Sequence, residues 1–491
     1  MKASARQMTR RDLLGMMGIG AAAAGLPRRC RAGEAKSPAA GRPNIILLMA
    51  DDCSARELGC YGHPTHKTPN LDGLARTGVM FRTCWCTPIC SPTRAEIMTG
   101  RYGFRTRWYH NNMKPAANEP NGDLSRSNLI FAQLLKKAGY ATAIAGKWQL
   151  RGSYAAYGFD EHCMWHRVKG KFDGPVEGPE ASLPGRAARY WHPAIQKNNQ
   201  HLPTTAKDYG PDIFTEFVND FARRHKDRPF CIYYPMCLTH KSWDFELKKG
   251  TYVPAPQLDA RGRKTGRRTR DTLQSNVEYA DHLVGRIIRN LADLGLRGST
   301  VFLFTCDNGT VGYGKSNVWQ ERGPRVPMIV NAPGIVKALG PVDALIDFSD
   351  ILPTLCDLAG ARLPEGYVLD GKSFAPVLRG ERTTTREWIF SYLADKRILR
   401  DKRWLLDGHG RLYDCGARRD EKGYRDVTDS NDPEVLAARK RFEKILAALP
   451  APAPDDPLLR KYRQSRQRKR GTRRPKQPRP GKKADRLAPK A

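Results

Sequence analysis

Asn44-Ile45-Ile46-Leu47-Leu48-Met49-Ala50-Asp51-Asp52 opens as an unbroken apolar run and closes on two carboxylates. A strand that is apolar without alternation has both faces covered, which marks a buried parallel strand. The pattern recurs along the chain. Tyr140 to Gly146 runs into Lys147, Phe230 to Tyr234 stops shortly before Thr239-His240, and Val301 to Cys306 runs into Asp307-Asn308. Val326 to Val330 reads as one more strand. Helical patterns lie between them: Leu129 to Ala138 closed by Gly139, Phe214 to Arg224, and Ser275 to Leu294 stopped by Gly295. This alternation predicts an α/β domain with a large, mostly parallel sheet flanked by helices. In open sheets of this kind ligands bind beyond the C-terminal strand ends. Asp51, Lys147, His240 and Asp307 all fall there.

From about Thr385 the texture shifts to short strands, Trp388 to Tyr392 and Trp404 to Leu406, followed by a helix from Pro433 to Leu449. These predict a small C-terminal α+β subdomain over 385–450. At the other end, Thr9-Arg10-Arg11-Asp12-Leu13-Leu14 is a twin-arginine pattern followed by a short small-residue apolar run to Leu26. The run is too short to span a membrane and suits the core of an export signal over 1–35. Leu26-Pro27-Arg28-Arg29-Cys30 lacks the small residues expected before a lipoprotein cysteine. A soluble protein exported to the periplasm or the exterior is therefore expected, folded before export and with no transmembrane span.

The formal charge of +34 over 491 residues is unevenly spread. Much of it lies between Arg460 and Lys490, where prolines and scarce apolar residues predict a disordered basic tail over 451–491. A second basic patch, Arg261 to Arg270, reads as an exposed loop. Tyr462 is the one aromatic in either patch, too few for interleaving, so a polyanionic substrate or an anionic cell surface fits better than a specific nucleic acid. Twelve cysteines permit disulfides in an oxidising compartment. Cys53 with Cys60 and Cys84 with Cys86 are candidate pairs, although spacing does not fix connectivity. No Cys/His grouping has zinc-site spacing.

Cys90-Ser91-Pro92-Thr93-Arg94 breaks any regular element, and Thr93 to Thr99 then reads as a helical turn or two, leading into Gly100-Arg101-Tyr102. A side chain at such a junction faces free backbone N–H groups and the positive end of a helix, which favour an anionic substrate. Asp51-Asp52 and Asp307-Asn308 supply three carboxylates and an amide carbonyl, a hard oxygen set suited to Ca²⁺ or Mg²⁺.

Cys-x-Pro-x-Arg running into Thr-Gly-Arg closely resembles the sulfatase signature, and the resemblance extends from roughly Arg42 to Tyr413. It implies a formylglycine-dependent sulfatase of the alkaline-phosphatase-like superfamily, with a catalytic domain over 42–380. In that family the cysteine, here Cys90, is oxidised by a formylglycine-generating enzyme to an aldehyde whose hydrate attacks sulfur. Asp51, Asp52, Asp307 and Asn308, joined by the modified Cys90, resemble the family's metal site, with Ca²⁺ expected and Mg²⁺ the other candidate. By the same resemblance Arg94, Lys147 and Lys315 would spread the charge on sulfate, and His240 would protonate the leaving alcohol. Lys315 precedes Glu321-Arg322-Gly323-Pro324-Arg325-Val326-Pro327, similar to the family's Lys…Glu-Gly-Gly-x-Arg-Val-Pro with a spacing about one residue longer. Gly146-Lys147-Trp148 matches the family's Gly-Lys-Trp-His-Leu, but Gln149 replaces the histidine that takes the proton expelling sulfate. An amide cannot accept that proton. Sulfated carbohydrate is the expected substrate class. The competing readings are a phosphonate or phosphate diester hydrolase of the same superfamily and an inactive sulfated-glycan-binding protein.

Overall fold

Every residue of Asn44–Ala50 (β1) is buried, and all after Asn44 are apolar. A fully buried Ile or Leu of this kind contributes about 1.5–3 kcal/mol. The computed structural model describes residues 41–165, 189–244, 249–419, 422–449, 451–453 and 455–471. Around β1 it builds a sheet from Val79–Trp85 (β2), Ala141–Gly146 (β3), Glu161–Trp165 (β4), Ile195–Lys197 (β5), Gln200–His201 (β6), Phe230–Pro235 (β7), Thr300–Cys306 (β8), Arg325–Asn331 (β9) and Gly340–Asp347 (β10). The order is β10-β2-β9-β8-β1-β7-β3-β4-β5-β6.

The block β8-β1-β7-β3-β4 is parallel throughout. Its register sets Ala50 beside Cys306 and Met49 beside Pro235, so the residues that follow these strands emerge along one edge. Next to this block β9 runs antiparallel to both β8 and β2. The chain leaves β8 at the C-terminal edge, makes a loop over 307–324 there, and must re-enter the sheet in the opposite direction. Helices Pro69–Arg76, Gly210–Arg224 and Leu273–Asp293 pack together, as do Cys90–Thr99, Phe131–Lys137 and Ile351–Ala359. The strand and helix segments expected from the sequence are all present, with ends moved by a few residues.

The C-terminal subdomain is a five-stranded antiparallel sheet, Trp388–Leu393, Lys396–Asp401, Trp404–Leu406, Leu412–Asp414 and Arg425–Asp426, with helix Pro433–Ala448. Buried charges tie it to the large sheet: Arg386 pairs with Asp347 and Asp350, and Arg400 with Glu321 at 2.8 Å. Glu321 also accepts from Trp85 Nε1 at 2.9 Å.

Three expectations need correction. The chain is not disordered from 451: Pro457–Gly471 is a helix. Leu459 is buried in it, and the preceding Asp456 accepts from Tyr109 Oη at 3.1 Å. The segment Arg261 to Arg270 is not a loop but the turn and second strand of a hairpin, Pro256–Leu258 with Lys264–Arg268. Arg268 lies 4.1 Å over the Trp191 ring and Lys264 pairs with Asp212 at 2.7 Å, so part of that charge is engaged. Finally, Cys53, Cys60, Cys84 and Cys86 are free, like the other described cysteines. Cys86 Sγ turns to the Pro324 carbonyl at 3.3 Å, while Cys60 N donates to Asp72 Oδ1 at 2.7 Å. The signal-like segment 1–35 and the tail beyond 471 lie outside the described residues. No helix among the described residues is long and apolar enough to cross a membrane.

Candidate active site

The expected residues meet at the C-terminal edge of the parallel block. Asp51 N donates to Leu238 O at 2.7 Å, Thr239 N to Asp51 O at 2.8 Å, and Asp307 N to Ala50 O at 3.0 Å, which fixes three loops side by side. Consecutive side chains of a strand point to opposite faces. Asp52 escapes this rule with a φ of 61°, a left-handed conformation that aspartate tolerates better than most residues, and so joins Asp51. Asp52 N then donates to Asp307 Oδ1 at 3.1 Å, and Asn308 Nδ2 to Asp52 Oδ1 at 2.8 Å.

Cys90 begins the helix Cys90–Thr99, after Ile89, whose side chain supplies no cap. Its Sγ lies 3.8 Å from Asp51 Oδ1 and 3.9 Å from Asp52 Oδ1. Ser91 N, one of the free helix-start donors, gives its proton to Asn111 Oδ1 at 2.9 Å. Sequence reasoning missed Asn111, which sits in a loop without a motif. Ligand atoms of Asp51, Asp52, Cys90 and Asp307 lie within 4.8 Å of one another.

Cationic side chains close around the carboxylates. Arg94, 1 % exposed, donates from Nη2 to Asp307 Oδ2 at 2.7 Å and to Asp51 Oδ2 at 3.2 Å. Its Nη1 donates to Lys147 O at 2.7 Å. Lys147 Nζ pairs with Asp51, and Lys315 Nζ reaches Asp52 Oδ1 at 2.7 Å. Gly146 is needed before Lys147: its φ is 107°, and a Cβ there would meet the Pro235 carbonyl at 2.1 Å. His240 Nε2 stands 3.6 Å from Asp52 Oδ2, and its Nδ1 lies 3.2 Å from Arg189 Nη1. Arg189 is a second neighbour that no sequence motif pointed to. Gln149 has a φ of 62°, and its buried Oε1 has no hydrogen-bond partner. Its carbonyl lies 3.5 Å from Ser91 Oγ, which places it against the start of the Cys90 helix.

Burial alone would raise Asp51, but Lys147, His240, Arg94 and Lys315 hold it well below the usual carboxylate range. Asp52 is pushed up to about 6 by burial and by the charges of Asp51 and Asp307, against the pull of Lys315. Burial and Asp307 raise the Cys90 thiol far above its ordinary range. Burial and Lys147 lower His240 well below the usual imidazole value. The donor set fits a hard divalent cation on two grounds. Asp51, Asp52 and Asp307 offer carboxylate oxygens close together, and Asn308 Oδ1 is a buried acceptor with no partner.

Residues 43–361, more than half of the chain, match the sulfatase family model. The chain belongs to the sulfatase family. As such it is a hydrolase of sulfate esters. Human arylsulfatase A is 31% identical over 403 residues, covering 75% of this chain and 74% of that protein. N-acetylgalactosamine-6-sulfatase of Canis lupus familiaris is 30% identical over 382 residues, covering 72% and 69%. The crystal structure of Ps i-CgsB in complex with k-i-k-neocarrahexaose superposes with a TM-score of 0.64 at 22% identity, over 82% of this sulfatase and 92% of that chain. The structure of BT4656 with its substrate D-glucosamine-2-N,6-O-disulfate gives 0.62 at 20% identity, over 83% and 97%.

Proposed function

We propose that this sulfatase removes sulfate from a sulfated carbohydrate through a formylglycine formed at Cys90 and a divalent cation, Ca²⁺ or, less fittingly, Mg²⁺. The observation that carries the reading is the convergence of Cys90, four oxygen-bearing ligands and three cationic side chains at one buried strand edge. A formylglycine hydrate would supply the attacking oxygen and the cation would lower its pKa and polarise the sulfate. Asp51, Asp52, Asp307 and Asn308 would hold the cation, while Arg94 fixes Asp51 and Asp307 in place. Lys147 and Lys315 would bind sulfate oxygens and stabilise the charge that develops on them. The thiol of Cys90 is held protonated and is itself a poor nucleophile, which favours the modified residue. Burial and Lys147 disfavour the charged form of His240; an anionic sulfate beside it would raise its pKa, so that it could take up a proton from solvent and hand it to the leaving oxygen.

Relatives that carry names such as N-acetylgalactosamine-6-sulfatase support a sugar substrate. Initial rates on an aryl sulfate and on an aryl phosphodiester test the reaction class. Sulfate hydrolysis should exceed phosphodiester hydrolysis by at least about 10²-fold, and the reverse order would assign the site to phosphorus esters.

Gln149 is expected to position rather than to accept a proton, with another base, a water or a carboxylate near the cation, acting in its place. Gln149→Ala should lower kcat by about tenfold or less, and Gln149→His should bring no large gain. A burst of alcohol release followed by near-zero turnover, cured by Gln149→His, would contradict this and show that sulfate release has been lost.

The twin-arginine pattern supports export to the periplasm or exterior after a formylglycine-generating enzyme has acted. The basic residues beyond 471 would then tether the enzyme to polyanions. Deleting 472–491 should weaken retention on a sulfated polysaccharide and flatten its salt dependence, and equal retention would leave the tail a solubility device.

A further inference from the structure

A cavity of about 360 Å³ opens beside the candidate site, between the Gly312–Val318 loop, the hairpin turn Leu393–Lys396, His409 and Tyr462. That volume falls within the ~300–1,000 Å³ of small-molecule sites. Lys315 belongs to both places: its amine pairs with Asp52 in the site, and the residue lines the cavity. A substrate with its sulfate at Lys315 therefore has the cavity as the next space for its neighbouring ring. We propose that this cavity is a subsite for an anionic sugar ring adjoining the sulfated one, with Tyr462 as the stacking platform and Lys396 as the anion partner. The proposal rests on the sulfatase reading above.

The chemistry of the walls carries it. Asp395 is the one carboxylate of the lining and is paired with Arg463 at 2.8 Å, which removes its repulsion toward an anion. Lys396 Nζ donates to Gly408 O at 3.0 Å and has further protons to give, because an ammonium carries three. That acceptor is held in turn, because Gly408 N donates to Val318 O at 2.9 Å. Tyr462 is half-buried, with its ring 5.4 Å from that of His110. An aromatic face beside ammonium groups matches a saccharide that presents C–H bonds on one side and sulfate or carboxylate on the other. The platform belongs to the helix Pro457–Gly471, which lies beyond the residues that match the family model.

The test uses the full-length enzyme and tetrasaccharides prepared from chondroitin sulfate, heparin and κ-carrageenan. Each is assayed as a competitive inhibitor of 4-nitrocatechol sulfate hydrolysis and, by calorimetry, as a ligand of the Cys90→Ala protein. At least one tetrasaccharide should bind. Tyr462→Ala and Lys396→Ala should each raise its inhibition and dissociation constants about tenfold, well beyond their effect on the KM of the small aryl ester. Tyr462→Phe, which keeps the ring, should restore most of the affinity. Equal shifts for tetrasaccharide and aryl ester, or no binding of any tetrasaccharide, would overturn the subsite. Failure of the sulfatase reading shows differently, as wild-type protein that does not turn over the aryl ester while the calorimetric difference between variants persists.

Discussion

Cys90→Ala is expected to reduce turnover of an aryl sulfate by about 10⁴-fold or more, leaving the fold intact. The size follows from the proposed role: losing a covalent nucleophile would remove the first displacement, and what would remain is charge stabilisation by Lys147, Lys315 and the cation. The survival of the fold follows from the geometry. Cys90 Sγ makes only long approaches of 3.8 and 3.9 Å to Asp51 and Asp52, and alanine is a good helix former for the first position of the helix. One buried sulfur is worth about 1 kcal/mol or less here, so Tm should move by only a few degrees. Activity and thermal unfolding measured on the same preparation separate the two claims. Mass spectrometry of the peptide containing Cys90, from protein made in its native host, reports whether conversion has occurred. A fully active Cys90→Ala protein would remove the centre of the proposed mechanism, since no other side chain of the cluster is a nucleophile in the same position.

Much of the candidate site was legible because its proposed ligands come as neighbours in sequence at the ends of strands that are buried on both faces. Asp51-Asp52 and Asp307-Asn308 follow β1 and β8, whose lack of any polar residue in the middle makes them plain in the chain. The strands next to them were harder to read. In β2 the exposed Arg82 interrupts an otherwise buried run, and in β10 the first half is open to solvent, with only Ala344 to Asp347 fully buried. Neither gives a clean period. Asn111 and Arg189 approach Ser91 and His240 through tertiary folding of loops, so nothing local announces them. The helix Pro457–Gly471 was hidden by its charge. Composition weighs every residue alike, whereas Leu458, Leu459 and Tyr462 form one small apolar stripe that packs on the C-terminal core. A few apolar residues at helical spacing outweighed the surrounding lysines and arginines because a preformed surface was there to receive them.

Stripping the cation is expected to have an effect second only to loss of Cys90. Chelation should lower activity by about 10²–10³-fold, and added Ca²⁺ should restore it. The binding energy is also visible without catalysis. A ligand held only by the folded state stabilises it by about 2.7 kcal/mol at a hundredfold excess over its Kd. Thermal unfolding should therefore rise by several degrees on adding Ca²⁺, and less with Mg²⁺, which demands a stricter octahedral geometry than side chains already engaged with Arg94 and Lys315 offer. Asp307→Asn isolates the cause. It keeps the size of the side chain, removes one negative ligand, and weakens the charge-assisted bonds from Arg94 at 2.7 and 3.2 Å. Asp307→Ala is a worse probe, because a buried arginine stripped of its partner costs about 3–5 kcal/mol on its own. In Asp307→Asn the Ca²⁺-dependent rise in Tm should vanish together with activity. If the wild-type protein unfolds at the same temperature with and without Ca²⁺, and works equally well after chelation, the cluster at the strand edge is an ion-paired scaffold for Arg94, Lys147 and Lys315, and sulfate would then be activated by Lys147 and Lys315 alone.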